Sequence, residues 1–412
     1  MFRDILVKAT VPIDHPRHLA FVPAAPTRAA IMFDLVTSAS SIHGAYWMEG
    51  AGGIFCENQA MKWLVKLTGM PEGSFGVFTS GGTTANLSAL VAARDAWKDR
   101  DEKHQKMKSL LIASNGAHSS VQAMARVMDA EIMLIDCYDE SLSGEVLEDF
   151  IGNLPEEDQK RIFAVVATGG TTNAGIIDEL NGIASICEKW KIWFHVDAAY
   201  GGGALAAPSV RHLFKGIERA DSVTIDPHKW LFSPYDCGAV LYKNMKLAKN
   251  AHSQQGSYLD IFKDEGAHGF NPTDYQIQLT RRVRGLPLWF SLATHGTDRY
   301  KEAVERGIEL AQMIRLNDEW LRVPIIYLSA ETDINRQMAA LLKAGDDFIT
   351  KPISDNALTA AVFSRVQRAR ALSMALSRDS LTGLLKHADI KEQAALEIER
   401  ALRSGKPTSV VM

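Results

Sequence analysis

Between residues 75 and 242 the chain alternates short apolar runs with stretches whose apolar positions recur every three or four residues. The runs at 75–79, 110–113, 131–135, 162–167, 192–196, 222–225 and 239–242 are too short for helices. Most lack polar alternation, so they predict strands covered on both faces. The stretches at 86–98, 120–128 and 183–189 predict helices. Strand alternating with helix predicts an α/β domain on a mostly parallel sheet. In such sheets ligands bind beyond the carboxyl ends of the strands.

The flanks follow other patterns. The start carries His15-Pro16, Pro23 and Pro26 and reads as an extended arm entering a helix at 28–38. Such an arm packs on a partner subunit or lies as a surface loop. Residues 249–273 break the strand–helix rhythm with Gly, Asn, His and Asp, and predict a long loop of the kind that forms lids. Residues 281–300 predict a helix. Beyond about Trp320 the character changes.

Composition narrows the class. The chain has 412 residues, 46% hydrophobic and 23% charged, with a formal net charge of -4. This suits a soluble globular protein with a core of normal size. It gives no charge signature for nucleic acid or a membrane surface. Cys56, Cys137, Cys187 and Cys237 share no CxxC spacing, which argues against a disulfide framework or a zinc site. A reducing cytoplasm is expected. MFRDILVKATVPIDHP has too short an apolar run for a signal peptide, and no run reaches the ~18 apolar residues of a membrane span.

Polar and glycine-rich clusters follow the predicted strands in order. Thr79-Ser80-Gly81-Gly82-Thr83-Thr84-Ala85-Asn86 opens a helix, where free amides, hydroxyls and glycines suit a phosphate. No Lys follows the glycines, so this is not a P-loop. An ordinary N-capped turn would use the same residues. Ala117-His118-Ser119-Ser120 offers an imidazole that could stack on a flat ligand, or simply cap a helix. Thr168-Gly169-Gly170-Thr171-Thr172 offers hydroxyls, or a plain turn. In His195-Val196-Asp197-Ala198-Ala199-Tyr200, Asp197 ends a strand, where a carboxylate can cap a turn or keep a pyridine nitrogen protonated. In Asp226-Pro227-His228-Lys229-Trp230, a partly desolvated Lys229 could attack an aldehyde; a lone lysine is otherwise a solvated surface group. Together the clusters supply a phosphate cradle, a stacking ring, a carboxylate and an amine.

The chain from about His15 to Trp320 resembles the group II pyridoxal 5'-phosphate (PLP) decarboxylases of aromatic amino acids, histidine and glutamate. HVDAAY followed by PHKW carries the resemblance, supported by HPRHLAFVPAAPT, TSGGTTANLSALVAAR, AHSSV, TGGTTNAG and LTRRVRGLPLWF. It implies the type I, aspartate-aminotransferase-like fold and a homodimer with the site at the subunit interface. It implies Lys229 as the Schiff-base lysine, Asp197 at the pyridine nitrogen and His118 stacked on the ring and assisting at the carboxylate. Gly82 and Thr83 would hold the phosphate, with His228 and Asp226 nearby. Thr172 and Ala199 would line the ring pocket, and His15 and Pro16 the substrate pocket. The implied reaction is decarboxylation of an L-amino acid, aromatic as first choice. The implied division is an arm and helix at 1–60, a PLP-binding large domain at 61–290 and the start of a small domain at 291–320.

Two departures bear on activity. The catalytic loop tyrosine of the aromatic members falls, by spacing back from Arg281-Arg282, near Phe270-Asn271; neither Tyr258 nor Tyr275 aligns with it. Its loss opens an aldehyde-forming oxidative deamination. A carboxylate at Asp226 beside a phosphate also needs a donor or a proton between them. The tail is a third departure. Residues 321–371, with Ser329 and Lys351-Pro352, resemble the second half of a response-regulator receiver. Residues 372–412, with Arg378-Asp379-Ser380-Leu381-Thr382-Gly383-Leu384, resemble a linker helix and the opening of a GGDEF domain. The receiver's phospho-acceptor half and the GGDEF motif itself are missing from the sequence. Neither phosphorelay nor cyclic-dinucleotide synthesis is therefore expected, and the junction reads as a fusion or a frameshifted join. A catalytically dead fusion of fragments is the alternative to an enzyme.

Overall fold

The computed structural model describes residues 1–11, 22, 24–137, 141–172, 175–254, 270–308, 326–329, 338, 347–350, 353–377 and 398. The chain divides into two compact units, 1–308 and 309–412.

In the first unit, helices α1 (Arg28–Ser40) and α2 (Trp47–Thr68) precede the sheet. Then follow β1 (Phe75–Thr79), α3 (Gly82–Lys98), β2 (Leu110–Ser114), α4 (Ser119–Val127) and β3 (Glu131–Ile135). Next come α5 (Gly144–Asn153), α6 (Glu156–Arg161), β4 (Ile162–Thr168), α7 (Leu180–Trp190) and β5 (Trp193–Asp197). The unit ends with β6 (Ser222–Ile225), β7 (Gly238–Tyr242), α8 (Met245–His252), α9 (Leu286–His295) and α10 (Thr297–Ile308). All seven expected strands form; six are buried along nearly their whole length, while the edge strand β3 is only partly covered.

The sheet order is β1-β7-β6-β5-β4-β2-β3. Strand β7 is antiparallel to both neighbours and the other pairs are parallel. Every residue of β2, β4, β5, β6 and β7 is buried. One core cluster, with Phe78, Ile112, Phe194 and Leu241, packs on one side of the sheet. The other, with Leu111, Phe163, Trp193 and Tyr242, packs on the opposite side beneath α3. The strands thus alternate between two apolar layers.

Three expectations change. The 22-residue α2 is new and runs through residue 60, where the sequence reading ends the arm. The helix expected over 281–300 starts only at Leu286 and breaks at Gly296, which adopts φ 75° before α10 begins. Residues 281–283 stay outside the helix and 284–285 form a turn, since Arg282 bridges backbone to His43 and the Arg281 guanidinium is drawn into the interior. The loop expected from Lys249 begins after His252, because α8 covers its first residues, and 255–269 lie outside the described residues.

In the second unit, β8 (Ile326–Ser329) and β9 (Asp347–Thr350) pair in parallel, and α11 spans Asp355–Ser377. Lys351, Pro352 and 378–397 lie outside the described residues.

Candidate active site

The carboxyl ends of β1, β4, β5 and β6 open into one cavity of about 320 Å³. Its lining includes Gly82, Thr83, His118, Thr172, Asp197, Ala199, Asp226, His228 and Lys229. Nine of the eleven residues singled out in the sequence are thus brought together. His15 and Pro16 lie outside the described residues.

Each group is set by its local fold. Gly82 begins α3, and a Cβ there would meet Asp226 Oδ2 at 2.9 Å and the Ala199 methyl at 3.0 Å. Only glycine lets the helix N-terminus, with its free amides, sit this close to the opposite wall. Lys229 closes a turn after β6, its amide donating to the Asp226 carbonyl at 2.9 Å. Its Nζ lies 3.1 Å from Asp226 Oδ2. The His228 ring accepts the Cys237 amide at Nδ1, 3.1 Å away, which places its proton on Nε2, 3.6 Å from Asp226 Oδ2. Burial pushes His228 below the usual histidine range. Asp226 is fully buried, and burial raises its pKa although Lys229 and His228 oppose this. Its Oδ1 has no hydrogen-bond partner among the described residues.

His118 caps α4, as the plainer sequence reading allowed, and it also lines the cavity. Its Nδ1 accepts from the Ser120 amide (3.2 Å) and hydroxyl (2.8 Å), so the proton sits on Nε2. Asp197 ends β5 and receives the Ala199 amide at Oδ1 (3.1 Å) and the Asn86 side chain at Oδ2 (2.8 Å). Thr168 stands beside Asp197 in the parallel register and also lines the cavity. Its buried hydroxyl has no partner among the described residues.

Asn86, Thr168 and Tyr200 stand inside the clusters quoted from the sequence but received no role of their own there, and all three line the cavity. Asn86 left a signal: an amide at helical spacing in the alanine- and leucine-rich stripe of α3 that turns to the core. Tyr200 packs flat against Trp230, ring centroids 5.6 Å apart. The backbone of Ala24 and Thr27 bonds to the carbonyls of Lys229 and Phe232, so the arm passes over the lysine turn.

The arrangement fits pyridoxal phosphate. It joins an anion cradle at a helix start, a buried carboxylate, an amine and two unpaired buried oxygens in a cavity of ligand size. Comparison with known proteins decides the family. The pyridoxal-dependent decarboxylase conserved domain matches residues 2–319. The chain belongs to the pyridoxal-dependent decarboxylase family. It is 32% identical over 305 residues to an aromatic-L-amino-acid decarboxylase of Bacillus atrophaeus, covering 73% of this chain and 63% of that protein. It is 30% identical over 332 residues to an L-2,4-diaminobutyrate decarboxylase of Acinetobacter baumannii, covering 76% and 64%. Among solved structures, Oryza sativa TDC with PLP and tryptamine superposes with a TM-score of 0.71 at 27% identity, over 76% of this chain and 67% of that one. The chain therefore spans a little under two thirds of the length of these two curated relatives. Pyridoxal phosphate is the cofactor of this family, and the match ends at residue 319, a short way past the end of the first unit at 308.

Proposed function

We propose that the chain is a PLP-dependent carboxy-lyase acting on an L-amino acid, with an aromatic amino acid as first choice. One observation carries this: Lys229, Asp197 and the Gly82 helix start face a single cavity. The aromatic choice is supported by the aromatic-L-amino-acid decarboxylase relative; the diaminobutyrate relative keeps other amino acids in the test panel.

When bound, pyridoxal phosphate supplies a protonated ring that takes up the electron pair left at Cα as carbon dioxide departs. The residues prepare that chemistry. Lys229 Nζ is the amine that attaches the cofactor aldehyde. Amides at the start of α3 and the Thr83 hydroxyl bind the phosphate, with His228 and Asp226 beside them. Asp197 offers a carboxylate to the ring nitrogen. His118 Nε2 carries a proton for a substrate carboxylate, and Thr172 and Ala199 border the ring. His15 and Pro16 are assigned to the substrate pocket by resemblance.

One observation favours a second outcome, aldehyde formation with dioxygen as oxidant. The position expected for the loop tyrosine is Phe270-Asn271. Phe270 stacks on Tyr275 (4.6 Å) and meets Phe75 edge-on (5.2 Å), while the Asn271 side chain accepts the Trp47 amide.

A homodimer is supported by an apolar face of Ile31, Met32, Leu35 and Val36 on α1, with Met48 and Phe55 on α2, all about half-exposed or more. A cytoplasmic setting is supported by four free cysteines, three of them buried. Among the described residues no helix is long and apolar enough to cross a membrane. In the tail, parallel β8 and β9 followed by α11 support a receiver-like α/β fragment. The GGDEF-like opening rests on sequence alone.

The test is a visible spectrum of the purified chain with added PLP, before and after borohydride, beside Lys229→Ala. A visible band, trapped by reduction and absent from the variant, is expected. Amine or aldehyde is then assayed with carbon dioxide release. A colourless wild-type protein would sink the reading.

A further inference from the structure

Asp197 is the visible end of a hydrogen-bond chain that starts inside the sheet. Trp193, His195 and Asp197 alternate along β5 and so share one face. Beside them stand Ser222 of β6 and Asn86 of α3. Trp193 Nε1 lies 2.8 Å from Ser222 Oγ, which lies 2.8 Å from His195 Nδ1. His195 Nε2 lies 3.0 Å from Asn86 Oδ1, and Asn86 Nδ2 lies 2.8 Å from Asp197 Oδ2.

The two ends set the direction. An indole N–H can only donate and an ionised carboxylate can only accept. Trp193 therefore donates to Ser222, and the Ser222 hydroxyl donates to His195 Nδ1. His195 Nε2–H donates to Asn86 Oδ1, and the Asn86 amide donates to Asp197. Turning the Asn86 amide over would set its oxygen against the carboxylate. The Asn86 end thus fixes one imidazole proton on Nε2, and a neutral ring then leaves Nδ1 bare to accept from Ser222. Burial favours that neutral ring, lowering the pKa of His195 to about 4. Trp193, Ser222, His195 and Asn86 are at most 2% exposed, so water does not stand in for a missing link.

We propose that Asn86 and His195 are positioning residues for the cofactor. The directed chain from Trp193 presents one amide donor to Asp197 Oδ2, and that donor fixes the orientation of the carboxylate with acceptor capacity left for a ring nitrogen in the cavity. The inference rests on the reading of Asp197 as the partner of that nitrogen. Two donors, from Asn86 at Oδ2 and from the Ala199 amide at Oδ1, hold the two carboxylate oxygens in place. Neither Asn86 nor His195 needs to touch the reacting atoms.

Two measurements test this. The first uses the full chain without cofactor, labelled with 15N-histidine and assigned against His195→Gln. One histidine should show a protonated Nε2 and a bare Nδ1, unchanged from about pH 8 to about pH 5.5. The opposite tautomer, or a titration inside that range, overturns the chain.

The second is a PLP titration followed by the visible band, with far-UV circular dichroism as a folding check. Asn86→Leu and His195→Phe should each weaken binding about tenfold, the scale of one hydrogen bond to a charged group. His195→Gln can still donate to Asn86 and should bind within about threefold of wild type. Wild-type affinity in folded Asn86→Leu overturns the inference and leaves the cofactor site standing. Equal losses in His195→Phe and His195→Gln, with early melting of both, make the role structural only and also overturn it. A wild-type chain that binds no PLP overturns the reading of the site, and this inference with it.

Discussion

At the residue scale, burial shifts two polar groups of the cavity lining, raising the pKa of Asp226 and lowering that of His228. Asp226 carries the unease raised by a carboxylate beside a phosphate. One oxygen meets Lys229 at 3.1 Å, the other has no partner among the described residues, and burial favours the proton. His195 gives the clearest pH prediction. Its pKa falls from 6.5 to about 4 on burial, so the folded chain excludes a proton that the unfolded chain accepts. The folded state is unpenalised above pH 6.5 and loses stability as pH falls from there towards about 4. The full loss is about 3 kcal/mol, from roughly 1.4 kcal/mol per pH unit. Urea unfolding between these limits should show a steeper fall for wild type than for His195→Gln; parallel curves would contradict it. The burial of this strand was legible in its apolar run, but the tautomer belongs to contacts from α3 and β6 and was not legible in HVDAAY itself.

At the element scale, one buried ion pair joins the α2 region to the segment before α9. Arg281 Nη2 contacts both Glu57 oxygens, at 2.6 and 2.8 Å, and its Nη1 donates to the Gly44 carbonyl. The Gly285 amide also donates to Glu57, at 2.8 Å. Removing one partner strands the other charge in the interior. Glu57→Gln should therefore cost about 3–5 kcal/mol in urea unfolding, against little for Glu156→Gln in an exposed pair. A loss under ~1 kcal/mol would mean that Arg281 finds water instead. This pair also explains why the expected helix begins late, since Arg281 has to point inward from an extended backbone. Helix α2 escaped sequence reading because Gly50, Gly52 and Gly53 interrupt its pattern. At Gly53 a Cβ would sit 3.0 Å from the Val283 side chain, so the glycine serves close packing rather than a turn.

At the scale of the whole molecule, the first unit closes its own sheet and core, yet among the described residues α1 keeps an exposed apolar face. Met32 is 69% and Leu35 72% exposed. Patches of this kind mark association surfaces. Sedimentation should give a dimer for the full chain and a monomer for Leu35→Glu paired with Met32→Glu, with the secondary structure intact. A monomeric wild type would refute the dimer reading. Thr27 caps α1 and its hydroxyl lies 2.6 Å from Ser291 Oγ of α9, so the arm over the lysine turn is anchored within the same unit.

By itself the sequence determined the strand set, the parallel character of the sheet and the order of the clusters at the strand ends. These depend on local apolar runs and on turn chemistry, which are written along the chain. It also placed Lys229, Asp197, His118 and Gly82 near one another, since successive strand ends meet at one edge of a parallel sheet. Only the tertiary structure decided that Asn86 and His195 back Asp197, that Thr168 lines the cavity beside Thr172, and that Arg281 is buried against Glu57. Asn86 and Asp197 are 111 residues apart and Arg281 and Glu57 are 224 apart. A buried polar group takes whichever partner the packing brings within hydrogen-bond reach, and no periodicity along the chain records that choice.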